Sequence, residues 1–432
     1  MMRQGGGILP PSGRVQWERG SVMDLKRDVD AIIAAALHAA MPDTAVRKAL
    51  ECLPACRGRL VLVAAGKAAW QMAQTALAAL GSRVDGGIVI TKYGHARGAL
   101  PGLHIFEAGH PVPDENSYLA TQAAIDLVEP LTADDLVLFL LSGGGSALFE
   151  KPLIPGEELA ELTHRLLSSG ADIVEINTIR KRLSAVKGGR FAELCAPARV
   201  FSIVLSDIIG DPLDMIASGP AYPDNSTAEQ AARIAEKYGL PLSPEAAALL
   251  GRETPKALSN VETHVTGSVR QLCAAAETAC RALGYRPVVL TASLCCEARE
   301  AGSFFASIAK HHQDTGESVA FIAGGETVVH VTGRGLGGRN QELALSAAQG
   351  LDGLRDTALF SVGSDGTDGP TDAAGGYVDG GTCESLRRRN VLIPDVLQNN
   401  DAYQALSLTG GLIKTGPTGT NVNDLTVLLI RR

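Results

Sequence analysis

Aromatic residues make up only 4% of this 432-residue chain, so its cores must be built from Ala, Leu, Val and Ile. No stretch reaches the length of about 18 apolar residues that a membrane helix needs, which leaves no candidate span. Basic charge is also short: 39 Lys and Arg stand against 47 Asp and Glu, a net charge of −8. That balance offers no basic nucleic-acid footprint. An acidic protein that binds anionic phosphates must do so locally, with backbone N–H groups, a few Lys or Arg, and a metal. The eight cysteines include no pair of C-x-x-C units, and Cys52 and Cys56 have no nearby His or Cys to complete a zinc site. They read as small buried hydrophobes in a cytoplasmic protein. The stretch Met1–Gly20 lacks the apolar core of a signal peptide. Residues 1–23 read as a disordered tail, with Met23 as an alternative start.

What is present is ample apolar material, 45% of residues, and 48 glycines clustered in short loops between apolar runs. The length implies two or three domains. Continuous apolar runs at 59–65, 135–141 and 199–205 read as buried parallel strands. Each is followed by a Gly- or Ser-containing turn and a helical pattern. Such alternation points to a parallel sheet covered on both faces. A polar segment over 223–260 places a boundary near 258. Beyond it the order of elements changes. Strands are expected at 318–323 and 327–332, joined as a hairpin, with a helix over 339–348 and a last strand at 425–430. The domains are therefore set at 24–258 and 259–432.

Ligands in parallel α/β sheets bind beyond the carboxyl ends of strands. Ser142-Gly143-Gly144-Gly145-Ser146 follows a buried strand there. Three glycines let the backbone approach an anion, and their N–H groups can form a nest. Lys67 lies at another strand-to-helix turn, although the spacing is not that of a Walker A loop. Asp207 follows a third strand, where a carboxylate ligand for Mg²⁺ belongs. Asp211 and Asp214 follow it but can equally start a turn or cap a helix. Asp365, Asp368 and Asp372 crowd a fourth turn and are open to either a site role or a capping role. Arg180, Ser184 and Lys187 fall on one helical face if the helix runs through 172–186. Gly333-x-Gly335-x-x-Gly338 fits the dinucleotide fingerprint formally, but in a hairpin context that weakens it. It supports a rival reading, an NAD(P)-dependent hydroxypyruvate reductase. His110 and His330 are isolated and read as structural.

Together the motifs V-A-A-G-K-A around Lys67, G-H-P-V-P-D-E-N-S at 109–117 and L-S-G-G-G-S-A-L at 141–148 resemble the type-II glycerate kinases, the glycerate 2-kinases of the MOFRL group. So do N-T-I-R-K-R-L-S-A-V-K-G-G at 177–189, G-R-G-L-G-G-R-N-Q-E at 333–342 and T-G-P-T-G-T-N-V-N-D-L at 415–425. The resemblance runs from about Asp24 to Arg432. It implies an α/β fold with an N-terminal Rossmann-like parallel-sheet domain, a smaller C-terminal mixed α/β domain and an active site in the cleft between them. It implies ATP, Mg²⁺ and D-glycerate, with 2-phosphoglycerate as product, and leaves a homodimer open as the assembly. Lys67 and Arg339 match positions that the family uses at its active site. On this reading Ser142 to Ser146 and Lys187 hold the nucleotide. Asp207 holds the metal and orients the hydroxyl, and Lys67, Arg339 and Asp365 meet the substrate.

Overall fold

The computed structural model describes residues 23–206, 210 and 212–432. The expected tail, up to residue 22, and Asp207 and Asp211 lie outside the described residues. Among the described residues, twelve strands form two six-stranded sheets.

The first sheet has the order β3-β2-β1-β4-β5-β6. Its strands are β1 (Leu60–Ala65), β2 (Gly86–Lys92), β3 (Leu103–Ala108), β4 (Leu136–Leu141), β5 (Arg199–Val204) and β6 (Val261–Val265). Every pairing is parallel. β1 and β4 are buried at all their residues, and the period of two divides each between two cores. Val61, Val63, Val137 and Phe139 enter one core, while Leu62, Ala64, Leu138 and Leu140 enter the other. This double covering is why both strands read as unbroken apolar runs rather than as alternating ones. The strand order reverses between β1 and β4, so the turns that follow them meet at a topological switch point.

The second sheet has the order β11-β10-β9-β12-β8-β7. Its strands are β7 (Arg286–Leu294), β8 (Val319–Gly325), β9 (Thr357–Gly363), β10 (Gly375–Asp379), β11 (Leu412–Ile413) and β12 (Asp424–Ile430). β12 runs antiparallel to both β8 and β9, which brings Asp424 opposite Gly325 and Gly363, the last residues of those strands. The helices Ala298–His311 and Arg339–Leu351 cover one face. The helices Met23–Ala40 and Val269–Ala282 cover the other.

The chain divides into two compact units, and the division differs from the sequence expectation. One unit is Pro42–Gly267; the other joins the first helix, up to Met41, to Ser268–Arg432. The helix Met23–Ala40, expected with the N-terminal domain, buries Leu25, Val29, Ile32 and Ile33 against the second sheet. Asp28 accepts hydrogen bonds from Tyr285 Oη (2.6 Å) and Arg431 (3.0 Å). The boundary falls after Gly267 because β6 extends the first sheet by pairing with β5.

Two further expectations fail for local reasons. No strand forms at 327–332, since the amides of Thr332 and Gly333 donate to Asn400 Oδ1 at 2.8 and 2.9 Å instead of to a ladder. Cys195, Cys273, Cys280 and Cys383 are buried as expected, but Cys52, Cys295 and Cys296 are exposed. Among the described residues no single helix is long and apolar enough to cross a membrane.

Candidate active site

In the unit Pro42–Gly267 the turns after β1 and β4 are bonded to each other. Lys67 N–H donates to Gly143 O at 2.9 Å, and Ala68 N–H donates to Ser142 Oγ at 3.1 Å. Gly66, at φ +125°, makes this approach possible. A Cβ placed on it would lie 2.2 Å from Ser142 Oγ and 2.5 Å from Ser142 O. Gly144 adopts the left-handed conformation at φ +86°. The amides of Gly143 and Gly144 donate to no acceptor among the described residues. Unpaired amides in a left-handed turn at a strand end are the chemistry of an anion nest. Lys67 is exposed, and its ammonium has no hydrogen-bond partner among the described residues.

Of the residues assigned to this loop from sequence, Gly143, Gly144 and Ser146 are part-exposed, whereas Ser142 and Gly145 are buried. The Ser142 hydroxyl ties the two turns together. Lys187 is wholly buried, and its partners are backbone carbonyls and a carboxylate. Its ammonium donates to the carbonyls of Ser146 (2.9 Å) and Phe149 (3.1 Å) and lies 3.5 Å from Glu150 Oε2. Burial pushes the Lys187 ammonium down to about 8, with Glu150 pulling the other way. Arg180 donates to the same Ser146 carbonyl at 2.9 Å. The helix that carries Arg180 ends at Arg182, so the expected shared helical face with Ser184 and Lys187 does not form. Arg180 and Lys187 meet instead across a turn, and they hold the far end of the glycine loop from beneath.

His95, which the sequence reading passed over, and His110, which it read as structural, complete the surroundings of Lys67. His95 Nδ1 lies 3.1 Å from Lys67 O. His110 packs against both Gly144 and Lys67. The signal was the G-H-P-V-P-D motif itself, which no local pattern connects to Lys67.

In the other unit, antiparallel β12 gathers a second group. Arg339 opens the helix Arg339–Leu351 and donates through Nε to Asp424 Oδ2 (2.6 Å), through Nη2 to Asp424 Oδ1 (3.1 Å) and through Nη1 to Glu326 (2.9 Å). This two-toothed pairing fixes the plane of the guanidinium. Asp424 is buried, which raises its pKa, while Arg339 pulls it down. Asp368 caps the helix, accepting from the amides of Asn340 (3.1 Å) and Gln341 (2.9 Å). Burial pushes its carboxyl up to about 6. Of the open roles for this residue, the structure takes the cap. Asp365 is part-exposed and accepts from Thr367 N–H at 2.9 Å. Asp372 bonds to Tyr403 Oη and Lys414.

The formal dinucleotide fingerprint is occupied by the protein's own backbone. A Cβ on Gly333 would lie 2.2 Å from Asn399 O, and one on Gly335 would lie 2.6 Å from the same atom. Gly335 N–H donates to Asn399 O at 2.8 Å. These glycines serve the approach of residues 399–401, not of a pyrophosphate. Among the described residues no strand leads directly into them.

Mg²⁺ takes only one or two protein carboxylates beside phosphate oxygens and water. Among the described residues no group of three His, Cys, Asp or Glu side chains could hold a metal ion. The described part of the protein therefore supplies no preformed cage, and Asp207 stands outside it.

The six-stranded parallel sheet, with glycine turns meeting at its switch point, defines a doubly wound α/β protein. Two family profiles match the chain: a domain of unknown function (DUF4147) over residues 28–251 and the MOFRL family over residues 319–424. A D-glycerate 2-kinase of Thermotoga maritima is 52% identical over 412 residues, spanning 94% of this chain and 98% of that protein. A crystal structure of a glycerate kinase from the same species matches with a TM-score of 0.91, covering 94% of this chain and 99% of that one. A glycerate 2-kinase of Pyrococcus horikoshii is 40% identical over 87% of this chain and 88% of its own length. A protein of Agrobacterium vitis, provisionally named a hydroxypyruvate reductase, is 40% identical over 96% of both chains. The chain belongs to the glycerate 2-kinase family of phosphotransferases, and its C-terminal part carries the MOFRL domain.

Proposed function

We propose that this protein transfers the γ-phosphoryl group of ATP to the C2 hydroxyl of D-glycerate, giving 2-phosphoglycerate and ADP. The observation that carries the reading is the glycine loop with unpaired amides beside the free ammonium of Lys67, in a chain of this family. Phosphoryl transfer asks for positioning and charge neutralisation more than for covalent help. The amides of Gly143 and Gly144 receive phosphate oxygens. Lys67, exposed and without a partner, neutralises the charge on the transferring group. Arg339 supplies donors to the glycerate carboxylate. Its charge is already offset by Asp424 and Glu326, so it acts through direction more than through net charge. In the transfer the glycerate O–H bond breaks, an O–P bond forms and the bond from phosphorus to the ADP oxygen breaks. The hydroxyl proton goes to a carboxylate, with Asp207 the first candidate and Asp365 the second. Mg²⁺, with Asp207 as its protein ligand, would neutralise phosphate charge.

Phosphorus NMR of the product from ATP, Mg²⁺ and D-glycerate tests this directly. A 2-phosphoglycerate resonance is the expected result. A 3-phosphoglycerate resonance would keep the kinase and refute the position of transfer. Absence of any phosphorylated product, with NADH consumed on hydroxypyruvate, would overturn the reading.

A further inference from the structure

The loop between β3 and the helix Glu115–Val128 places a histidine where the proposed mechanism has no use for it. Asp114 pins this loop. Its carboxylate caps the helix by accepting from Ser117 N–H at 3.0 Å. It also accepts from Tyr93 Oη at 2.8 Å and from the amide of Gly109. His110, one residue after Gly109, is thereby held over the glycine loop. Its Cδ2 and Nε2 lie 3.1 and 3.2 Å from the point a Cβ on Gly144 would occupy, and Lys67 Cγ lies 3.2 Å from the same point. The imidazole and the lysine stem thus converge on the left-handed residue of the nest. The ring is part-buried, and it makes no hydrogen bond among the described residues.

Among the described residues, the groups that face His110 are cationic or neutral. Lys67 comes from the turn after β1, Lys92 and His95 from the end of β2, and β4 contributes the glycine backbone. Burial, then Lys67, Lys92 and His95, hold the imidazole below its ordinary pKa. At neutral pH the ring is therefore uncharged in the free protein. A set of cations around a loop with unpaired amides is short of an anion. An anion arriving within about 4–6 Å of a histidine raises its pKa by roughly 1–3 units. Such a rise shifts His110 towards its charged form when an anion binds.

We infer that His110 is a phosphate-binding residue of this kinase, gripping the nucleotide's phosphates with Lys67 and the glycine loop and taking up a proton as they bind. The inference rests on the kinase reading above. Its sign follows from linkage. The bound form holds the proton more tightly than the free form. Affinity for ATP is therefore greatest below the free-protein pKa, weakens by up to tenfold per pH unit between the two values and levels off above the bound-state value.

The test uses the full chain with ATP and Mg²⁺. Calorimetry in buffers of different ionisation heat counts protons taken up on binding. Wild type should take up a larger fraction of a proton than His110→Gln near pH 7, the difference removing the nucleotide's own titration. The ratio of Kd values, variant over wild type, should be about tenfold or more in acid and fall towards one as the pH rises and the bound His110 loses its proton. A variant-independent check is the NMR titration of the His110 ring, whose pKa should rise when ATP is added. Equal proton uptake, equal Kd values and an unmoved ring titration, in a protein that still makes phosphoglycerate, would overturn the role of His110 alone. Failure of wild type to bind ATP or to form product would instead overturn the kinase reading beneath it.

Discussion

Lys67 and Lys187 are the same residue type in opposite employment. Lys67 stands exposed at the anion loop, while Lys187 is fully buried beneath it, bonded to the carbonyls of Ser146 and Phe149 and close to Glu150. Lys67 follows a glycine and Lys187 precedes one, and the sequence reading set the first at the substrate and the second at the nucleotide. Spacing along the chain does not reveal burial, because burial depends on which other segments close over the side chain. The structure turns Lys187 from a ligand into a brace. Lys187→Met should therefore lower global stability by about 3 kcal/mol, since it strips Glu150 of one partner in a buried setting. Adding Glu150→Leu should recover part of that loss. Urea unfolding of both variants reads this out. A Lys187→Met protein of wild-type stability with only weakened ATP binding would restore the ligand role.

At the scale of elements, the contact between the β1 and β4 turns depends on glycine backbone. Gly66 has no room for a side chain on either count, with φ at +125° and Ser142 backbone and hydroxyl within 2.5 Å of a would-be Cβ. Gly144 is left-handed, but its nearest neighbours are the side chains of His110 and Lys67, which can move. Gly66→Ala should cost about 3 kcal/mol and Gly144→Ala about 1–2 kcal/mol, the latter close to the bare left-handed penalty. Equal losses in urea unfolding would contradict this ordering. β1, β4 and β5 are legible in the sequence because they are buried on both faces and end in Gly- or Ser-containing turns, whereas the part-exposed β6 was not read as a strand. The irregular course of 327–332 is not legible, because the Thr332 amide is satisfied by the side chain of Asn400 and the Val328 amide by the Cys296 carbonyl, both distant in sequence. The short strand Leu412–Ile413 likewise exists only through its pairing with β10.

At the scale of the whole molecule, the helix Met23–Ala40 precedes one unit in sequence and packs in the other. Burying a Leu, Val or Ile side chain is worth about 1.5–3 kcal/mol. Leu25, Val29, Ile32 and Ile33 together thus contribute a sum comparable to the whole stability of a domain, about 5–15 kcal/mol. The fragment 42–267 should therefore unfold cooperatively by itself. The fragment 268–432 should not, unless residues 23–41 are restored to it in cis or as an added peptide. Circular dichroism through a urea titration decides between these outcomes. A cooperatively folded 268–432 fragment would show that the helix is dispensable.

The sequence by itself determined the doubly covered parallel sheet, the glycine loop at its carboxyl edge, and the place of Lys67 at a strand-to-helix turn. All of these arise from local pattern, from apolar period, glycine and the end of a strand. Only the tertiary structure decided that Lys187 is a brace, that Asp368 is a cap, that Arg339 is paired with Asp424 and Glu326, that His110 stands over Gly144, and where one unit ends and the other begins. The physical reason is common to all five. Each depends on what lies opposite a residue in space, which side-chain burial and strand pairing set over long separations that no window along the chain contains.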